Sequence, residues 1–246
     1  MRWCRKPIWG RPPMLTLDAV DTDYGGVPML HDIALDVAEG ELVCLLGPNG
    51  AGKSTLFMTI CGVVHASKGA VRVMARDMRE VGTENLAALG VGLVPEGRRL
   101  FPGLTVRENL RLGYEAVCRN GAAFDDNLDR MTALFPRIGE RLHQAAGTLS
   151  GGEQAMVALA RALIGNPRLI IMDEPSLGLS PKWIEEYFAI VRRINREGMT
   201  VLMIEQNAEM GLSIADRGYI LVKGRIQAEG SAEKLRRSEV VESLYF

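Results

Sequence analysis

The 246-residue sequence has no long hydrophobic run. Its longest apolar segments, such as Leu42–Leu46 and Leu169–Met172, are much shorter than the roughly 20 residues that a membrane-spanning helix requires. Cysteine is scarce, with 4 residues and no CxxC pair, so we expect neither a zinc site nor a disulfide framework. Such a chain suits a reducing cytoplasm. The net charge is only −1, which gives no indication of nucleic acid as a partner.

The first 13 residues, MRWCRKPIWGRPP, are basic and are not followed by a long apolar segment. We therefore expect no signal peptide. Two interpretations of residues 1–13 stay open: a disordered tail, or a start codon assigned too early with Met14 as the true start. A functional basic arm is the weaker reading, since Pro12 and Pro13 stop any helix there.

Short apolar segments predict a sheet whose strands alternate with helices, which is typical of a mostly parallel arrangement. The predicted strands are Leu15–Val20, Ile33–Val37, Leu42–Leu46, Val71–Met74, Val91–Val94, Leu169–Met172, Val201–Ile204 and Tyr219–Val222. The predicted helices are Lys53–Val63, Val106–Leu112, Asn127–Phe135, Gln154–Ile164, Pro181–Glu197 and one or two short ones in Ala232–Phe246. We predict one domain over 14–246, with a core over 14–96 and 165–230, a helical subdomain over 97–164 and C-terminal helices over 231–246.

The sharpest motif is a glycine-rich segment between an apolar strand and a helix, Gly47-Pro48-Asn49-Gly50-Ala51-Gly52-Lys53-Ser54. It fits the P-loop pattern G-x-x-x-x-G-K-[ST]. Its glycines let backbone N–H groups converge on phosphate oxygens, and the following helix adds the positive end of its dipole. Lys53 would neutralise the β- and γ-phosphates, while the Ser54 hydroxyl would ligate Mg²⁺. With Thr55 beside them, these residues predict a site for a nucleoside triphosphate.

Two adjacent acids, Asp173 and Glu174, end the apolar segment Leu169–Met172. The carboxyl end of a strand is where open α/β sheets place their ligands. Asp173 is suited to hold Mg²⁺ together with Ser54. Glu174 is suited to polarise a water molecule near the γ-phosphate. An acidic turn ahead of Pro175 would be the simpler reading, but the P-loop favours the catalytic one.

Between these motifs lies Leu149-Ser150-Gly151-Gly152-Glu153-Gln154, which resembles the signature sequence of ABC ATPases. Ser150 and Glu153 also fit a capping box at a helix start. The resemblance covers almost the whole chain from Leu15 onward. It implies an α/β fold with a P-loop NTPase (ABC ATPase) core, a RecA-like, mostly parallel sheet, a helical insertion subdomain and antiparallel β elements near the N-terminus. It also implies ATP and Mg²⁺ as ligands, with Ser150, Gly151, Gly152 and Glu153 contacting the ATP bound by a partner subunit.

Further positions match the family or depart from it. Tyr24 resembles the aromatic residue on which adenine stacks, although a surface tyrosine in a turn is the alternative. Glu96 stands where most members have a metal- and water-contacting glutamine, and Gln206 stands where most have a switch histidine. Ser180 replaces the usual aspartate of the coupling loop. We expect catalysis to depend on Glu174, with Gln206 and Glu96 as positioning groups and Glu96 as a further metal ligand.

Three strings narrow the resemblance to one branch: Val94–Leu110, Asp173–Pro181 and Ile204–Leu221. They are similar to the ATPase of importers for branched-chain and related hydrophobic amino acids, to which the subunits of urea and amide importers are related. The branch implies two membrane permease subunits, a second ATPase subunit (a heterodimer, with a homodimer as the alternative) and, indirectly, a periplasmic or extracellular solute-binding protein. It places the chain at the cytoplasmic face of the bacterial inner membrane. A soluble ABC ATPase and a non-enzymatic nucleotide sensor are the rival interpretations.

Overall fold

The computed structural model describes residues 13–118, 123–238 and 241. The strands are β1 Pro13–Tyr24, β2 Val27–Ala38, β3 Leu42–Leu46, β4 Lys68–Val73, β5 Arg76–Asp77, β6 Val91–Val94, β7 Leu169–Asp173, β8 Thr200–Glu205, β9 Arg217–Val222 and β10 Arg225–Ser231. The α-helices are α1 Lys53–Ile60, α2 Met78–Val81, α3 Leu86–Leu89, α4 Val106–Glu115, α5 Phe124–Leu134, α6 Pro136–Gly139, α7 Gly151–Leu163, α8 Pro181–Arg196, α9 Ala208–Ile214 and α10 Ala232–Arg236. These residues form two compact units: unit 1 spans 13–84, 198–238 and 241, and unit 2 spans 85–118 and 123–197.

Unit 1 contains two groups of paired strands. An antiparallel sheet has the order β2-β1-β4-β5. The other group has the order β10-β9-β3-β8, in which β3 runs parallel to both neighbours and β10 is antiparallel to β9. Every residue of β3 is buried, as expected for a central parallel strand with both faces covered.

A buried ion pair links two of these strands within unit 1. The Arg217 guanidinium donates to Glu41 at 2.7 and 3.0 Å and to Asp36 Oδ2 at 3.0 Å. It also donates to the hydroxyl of Tyr219. Burial alone would lower the pKa of Arg217, but the bond to Glu41 and the neighbouring charges raise it overall. This network fixes the start of β9 beside β3.

Unit 2 pairs two parallel strands and packs helices around them. Val91 to Val94 of β6 lie opposite Leu169 to Met172 of β7. Helix α7 packs on β6, and α4 packs on α7. Gly92 permits the first of these contacts, because a Cβ there would lie 2.6 Å from the Ala162 carbonyl oxygen. The strands of unit 2 are therefore held close to the helix that follows the signature sequence.

The predicted fold class is confirmed: parallel strands form the core elements, and antiparallel strands lie near the N-terminus. All the predicted strands and helices with described residues are present, with ends shifted by a few residues. The sequence patterns did not predict β10 and α9, nor the shorter elements β5, α2, α3 and α6. Of the C-terminal helices, α10 is present, and the remainder of that prediction lies outside the described residues, as do residues 1–12. The boundaries of the helical subdomain stay a prediction. Within the described ranges, no helix has the length and apolarity needed to cross a membrane.

Candidate functional site

The predicted P-loop in unit 1 joins the end of β3 to the start of α1. Gly47 must be glycine for steric reasons, because a Cβ there would lie 2.6 Å from the Leu221 carbonyl oxygen. Gly50 and Gly52 have φ angles of 75° and 105°, a backbone region that favours glycine. Gly52 forms the N-cap of α1 without a side-chain cap. The first N–H groups of the helix therefore lack a capping side chain, as an anion site at a helix start requires.

Lys53 and Ser54 open α1 with different exposures. Lys53 is buried, and its ammonium group donates to the carbonyl oxygens of Gly47 and Pro48 at 2.8 and 3.1 Å. These bonds hold the ammonium group across the loop, so that its positive charge lies within the P-loop. The Ser54 side chain is exposed, whereas Thr55 is buried and Asn49 is exposed. Ser54 is thus available to a ligand.

The same edge of unit 1 carries Gln206. Leu46, the last residue of β3, lies opposite Glu205, the last residue of β8, so Gln206 and the P-loop follow neighbouring strand ends. The buried carboxylate of Glu205 accepts the Gln206 N–H at 3.2 Å. Sequence reasoning missed Glu205, although an acid ending an apolar strand was the signal used for Asp173. Tyr24 ends β1 and is 54% exposed, which leaves its ring open to stacking.

Unit 2 brings the two predicted catalytic acids to one cavity. Val94 of β6 lies opposite Met172 of β7, so the segments that follow these strands start at one edge. Glu96 and Glu174 both line a cavity of about 170 Å³ there. Asp173 is only 3% exposed. Glu174 has a φ angle of 46°, an uncommon backbone conformation for a residue other than glycine and one that is enriched at active sites.

The signature sequence forms the start of α7, as the capping-box pattern predicted. Ser150 Oγ accepts the Glu153 N–H at 3.4 Å, and the Glu153 carboxylate accepts the Ser150 N–H at 2.8 Å. The bond from the Ser150 hydroxyl lowers the pKa of Glu153, and the nearby charge of Arg141 adds to this effect. A carboxylate at a helix start is further stabilised by the dipole.

Sequence reasoning missed two side chains that surround this helix start. Trp183 of α8 lies against Gly152, where a Cβ would be 2.0 Å from the indole ring. The Arg98 guanidinium lies beside Gly151 and donates to Gln154 Oε1 at 3.2 Å. Neither contact leaves a local sequence pattern, because the partners are separated by dozens of residues along the chain. Ser150, Gly151 and Gly152 are thus held by side chains from two other segments.

Comparison with known proteins agrees with this geometry. The family profile of ABC transporters matches residues 30–177. The high-affinity branched-chain amino acid transport ATP-binding protein BraG of Pseudomonas aeruginosa is 43% identical over 232 residues, which cover 94% of this chain and 99% of that protein. The lipopolysaccharide export system ATP-binding protein LptB of Escherichia coli strain K12 is 32% identical over 233 residues, or 94% of this chain and 96% of that protein.

The fold of this chain is also similar to that of a solved structure. It is the dimeric post-hydrolysis state of an ATP-binding cassette bound to ADP and phosphate, with a TM-score of 0.80 and 25% identity. The match covers 89% of this chain and 99% of that one. The chain therefore belongs to the ABC transporter family. It is an ATP-binding and ATP-hydrolysing subunit of a transporter.

Proposed function

We propose that this chain powers the import of branched-chain amino acids. The observation that carries the proposal is the 43% identity to BraG over nearly the full length of both chains. The strings around Glu96, Glu174 and Gln206 support the same branch. Export of lipopolysaccharide is the second candidate, since LptB is 32% identical over a similar length. We favour import because the identity to BraG is clearly higher.

We assign the hydrolytic steps to residues at the strand ends of each unit. The P-loop amides and Lys53 bind the phosphates of ATP, and the ring of Tyr24 stacks on adenine. Glu174 orients the attacking water and accepts its proton. Gln206 donates a hydrogen bond towards the γ-phosphate but carries no proton near neutral pH. Glu96 positions groups beside Glu174 in the shared cavity.

A magnesium ion fits the oxygen donors that the chain offers. The exposed hydroxyl of Ser54 and the carboxylate of Asp173 would hold it, with Glu96 as a further ligand. In the described ranges no cluster of three or more His, Cys, Asp or Glu side chains could hold a metal. Mg²⁺ usually binds through one or two carboxylates together with substrate phosphates and water rather than in an all-protein cage. When bound, the ion supplies charge neutralisation at the phosphates.

Transport requires partners beyond this chain. We propose two such subunits facing each other with two ATP molecules between them, where Ser150, Gly151, Gly152 and Glu153 of one contact the ATP of the other. The partner ATPase is a different chain in our proposal, with a homodimer as the alternative. Two permease subunits anchor the pair peripherally at the cytoplasmic face of the bacterial inner membrane. A solute-binding protein delivers the amino acid on the opposite side.

The test is purification of the tagged chain from mildly solubilised native membranes, with mass identification of every co-purifying protein. Two different multi-span proteins and a second ATPase would support the importer. The purified complex is then assayed for ATP hydrolysis with its solute-binding protein and leucine, or with lipopolysaccharide. Stimulation by the solute-binding protein with leucine, and not by lipopolysaccharide, supports import. Stimulation by lipopolysaccharide alone contradicts it, and recovery with ribosomal or repair proteins would indicate a soluble ATPase.

A further inference from the structure

The loop after β6 has an unusual backbone immediately beyond Glu96. Gly97, Arg98 and Arg99 have φ angles of 77°, 65° and 49°. The Arg99 N–H donates to the Gly97 carbonyl at 2.7 Å, which closes a γ-turn centred on Arg98. Glycine accepts a positive φ readily, whereas arginine does not. A γ-turn with positive φ is rare and strained. This conformation therefore needs support from outside the loop.

Arg161 of α7 supplies that support. Its guanidinium donates to the Arg99 carbonyl at 2.8 Å and to the Arg98 carbonyl at 3.2 Å. Both acceptors belong to the left-handed residues of the turn. The Arg161 side chain is partly buried where it makes these contacts, and this burial lowers the pKa of its guanidinium. Two nitrogens of one planar guanidinium thus hold two consecutive carbonyl groups, in directions that are more fixed than those of a lysine ammonium group.

Arg98 joins the same loop to the opposite end of α7. Its guanidinium donates to Gln154 Oε1 at 3.2 Å. The amide group of Gln154 in turn donates to the Leu149 carbonyl at 3.1 Å, just ahead of the helix cap at Ser150. The guanidinium also lies against Gly151, where a Cβ would meet its nitrogens at 3.1 Å. The loop of residues 96–99, called the Glu96 loop, is therefore bonded near both ends of α7.

We propose that Arg98 and Arg161 are positioning residues that fasten the Glu96 loop to α7. Glu96 and the helix start at Ser150 then move as one body. This proposal rests on the proposed function, because it assumes that Glu96 acts at one ATP while the start of α7 contacts the other. A change at the ATP near Glu96 would reach the ATP at the start of α7 through the two arginines. Such coupling makes ATP binding at the two sites cooperative.

The first experiment measures hydrogen exchange of the full chain without nucleotide. Arg161→Met removes both bonds to the strained turn, so exchange of the amides in residues 97–101 should rise about tenfold. Arg130→Met is the matched control, since its guanidinium in α5 bonds to Asn166 on the same unit. It should leave those amides at the wild-type rate. Equal exchange in the two variants would overturn the role of Arg161.

The second experiment follows ATP hydrolysis by the membrane complex against ATP concentration. Arg98→Ala keeps the bonds from Arg161 to the turn but cuts the link to Gln154. Both Arg98→Ala and Arg161→Met should bring the Hill coefficient from above 1 to about 1 and lower kcat about tenfold. ATP binding to the separate chain should change less than about twofold, because the P-loop is untouched. Arg130→Met should keep the wild-type Hill coefficient.

An unchanged Hill coefficient in both variants, or a wild-type coefficient of 1, would overturn the proposal. These outcomes differ from failure of the proposed function. Stimulation of the wild-type complex by leucine tests the function, whereas each arginine variant is compared with wild type in ATP alone. A complex that responds to another solute can still show the exchange and cooperativity effects.

Discussion

Glu174 and Gln206 each follow a buried strand, but only the carboxylate can accept a proton near neutral pH. Glu174→Gln keeps the shape of the side chain and removes the base, so kcat should fall about 10²- to 10⁴-fold. Gln206→Ala removes a single hydrogen-bond donor, and we expect a loss of about tenfold. Steady-state phosphate release by the purified complex measures both. Near-normal turnover of Glu174→Gln, or a larger loss in Gln206→Ala, would move the catalytic role to another residue.

A second residue-scale prediction concerns the contact between Gly152 and Trp183. Alanine normally stabilises a helix relative to glycine, but here the new Cβ would lie 2.0 Å from the indole ring. Gly152→Ala should therefore lower the free energy of unfolding by about 1–3 kcal/mol, as overpacking does. Gly103→Ala is the control, because a Cβ there meets nothing within 4 Å. Urea denaturation compares them, and equal midpoints would contradict the contact.

Helices α4 and α7 allow an element-scale prediction, because both begin with a capping box, Thr105 with Glu108 and Ser150 with Glu153. The bond from Ser150 lowers the pKa of Glu153 below its ordinary value of 4.5. A depressed pKa contributes stability above pH 4.5, and that contribution is lost as the pH falls through the lowered pKa. Glu153→Gln should thus destabilise the chain at pH 7, and its difference from wild type should shrink as the pH falls below 4.5.

The control for this prediction is Glu108→Gln. Its carboxylate is capped in the same way, and the bond from the Thr105 N–H lowers its pKa. We expect a similar dependence of thermal stability on pH in both variants. ATP hydrolysis should fall only in Glu153→Gln, since α4 contributes no residue to the proposed ATP contacts. Equal hydrolysis in the two variants would remove Glu153 from the site.

The elements also differ in how well local pattern predicts them. Buried parallel strands such as β3 and β7 are continuous apolar runs, and the sequence predicts them almost to the residue. Strand β10 alternates exposed Arg225 and Glu229 with partly covered residues, so its pattern is too polar to stand out. Helix α9 is short and has only a few buried residues. Such elements exist because neighbouring strands and helices offer a place to pack.

For the molecule as a whole, motif residues could be predicted, whereas the side chains that hold them could not. The P-loop and the two acids at the end of β7 are recognised by fixed local spacings, because backbone geometry at strand ends demands them. Arg98, Arg161 and Trp183 act through contacts between distant segments. No spacing rule describes such contacts, since they depend on how α7 and α8 pack. The three-dimensional structure is therefore required to find the positioning residues.

The last prediction concerns the ATP site that two chains are proposed to share. It separates ATP binding by a single chain from ATP hydrolysis by the complex. Lys53→Ala removes the ammonium group that bridges the P-loop, so a single chain should bind ATP at least about tenfold more weakly. Gly151→Asp leaves the P-loop intact and places an acid at the start of α7, where the helix dipole favours it. The new Cβ would lie 3.1 Å from the Arg98 guanidinium, which must shift, so Arg98→Ala serves as the control for the loss of that contact. The introduced carboxylate would repel the phosphates of the ATP on the facing subunit.

In Gly151→Asp, ATP binding to the dilute single chain should therefore stay within about twofold of wild type, while hydrolysis by the complex falls about 10²-fold or more. Nucleotide titration and phosphate release measure the two quantities. Loss of single-chain binding in Gly151→Asp would mean that α7 contacts the ATP of its own subunit.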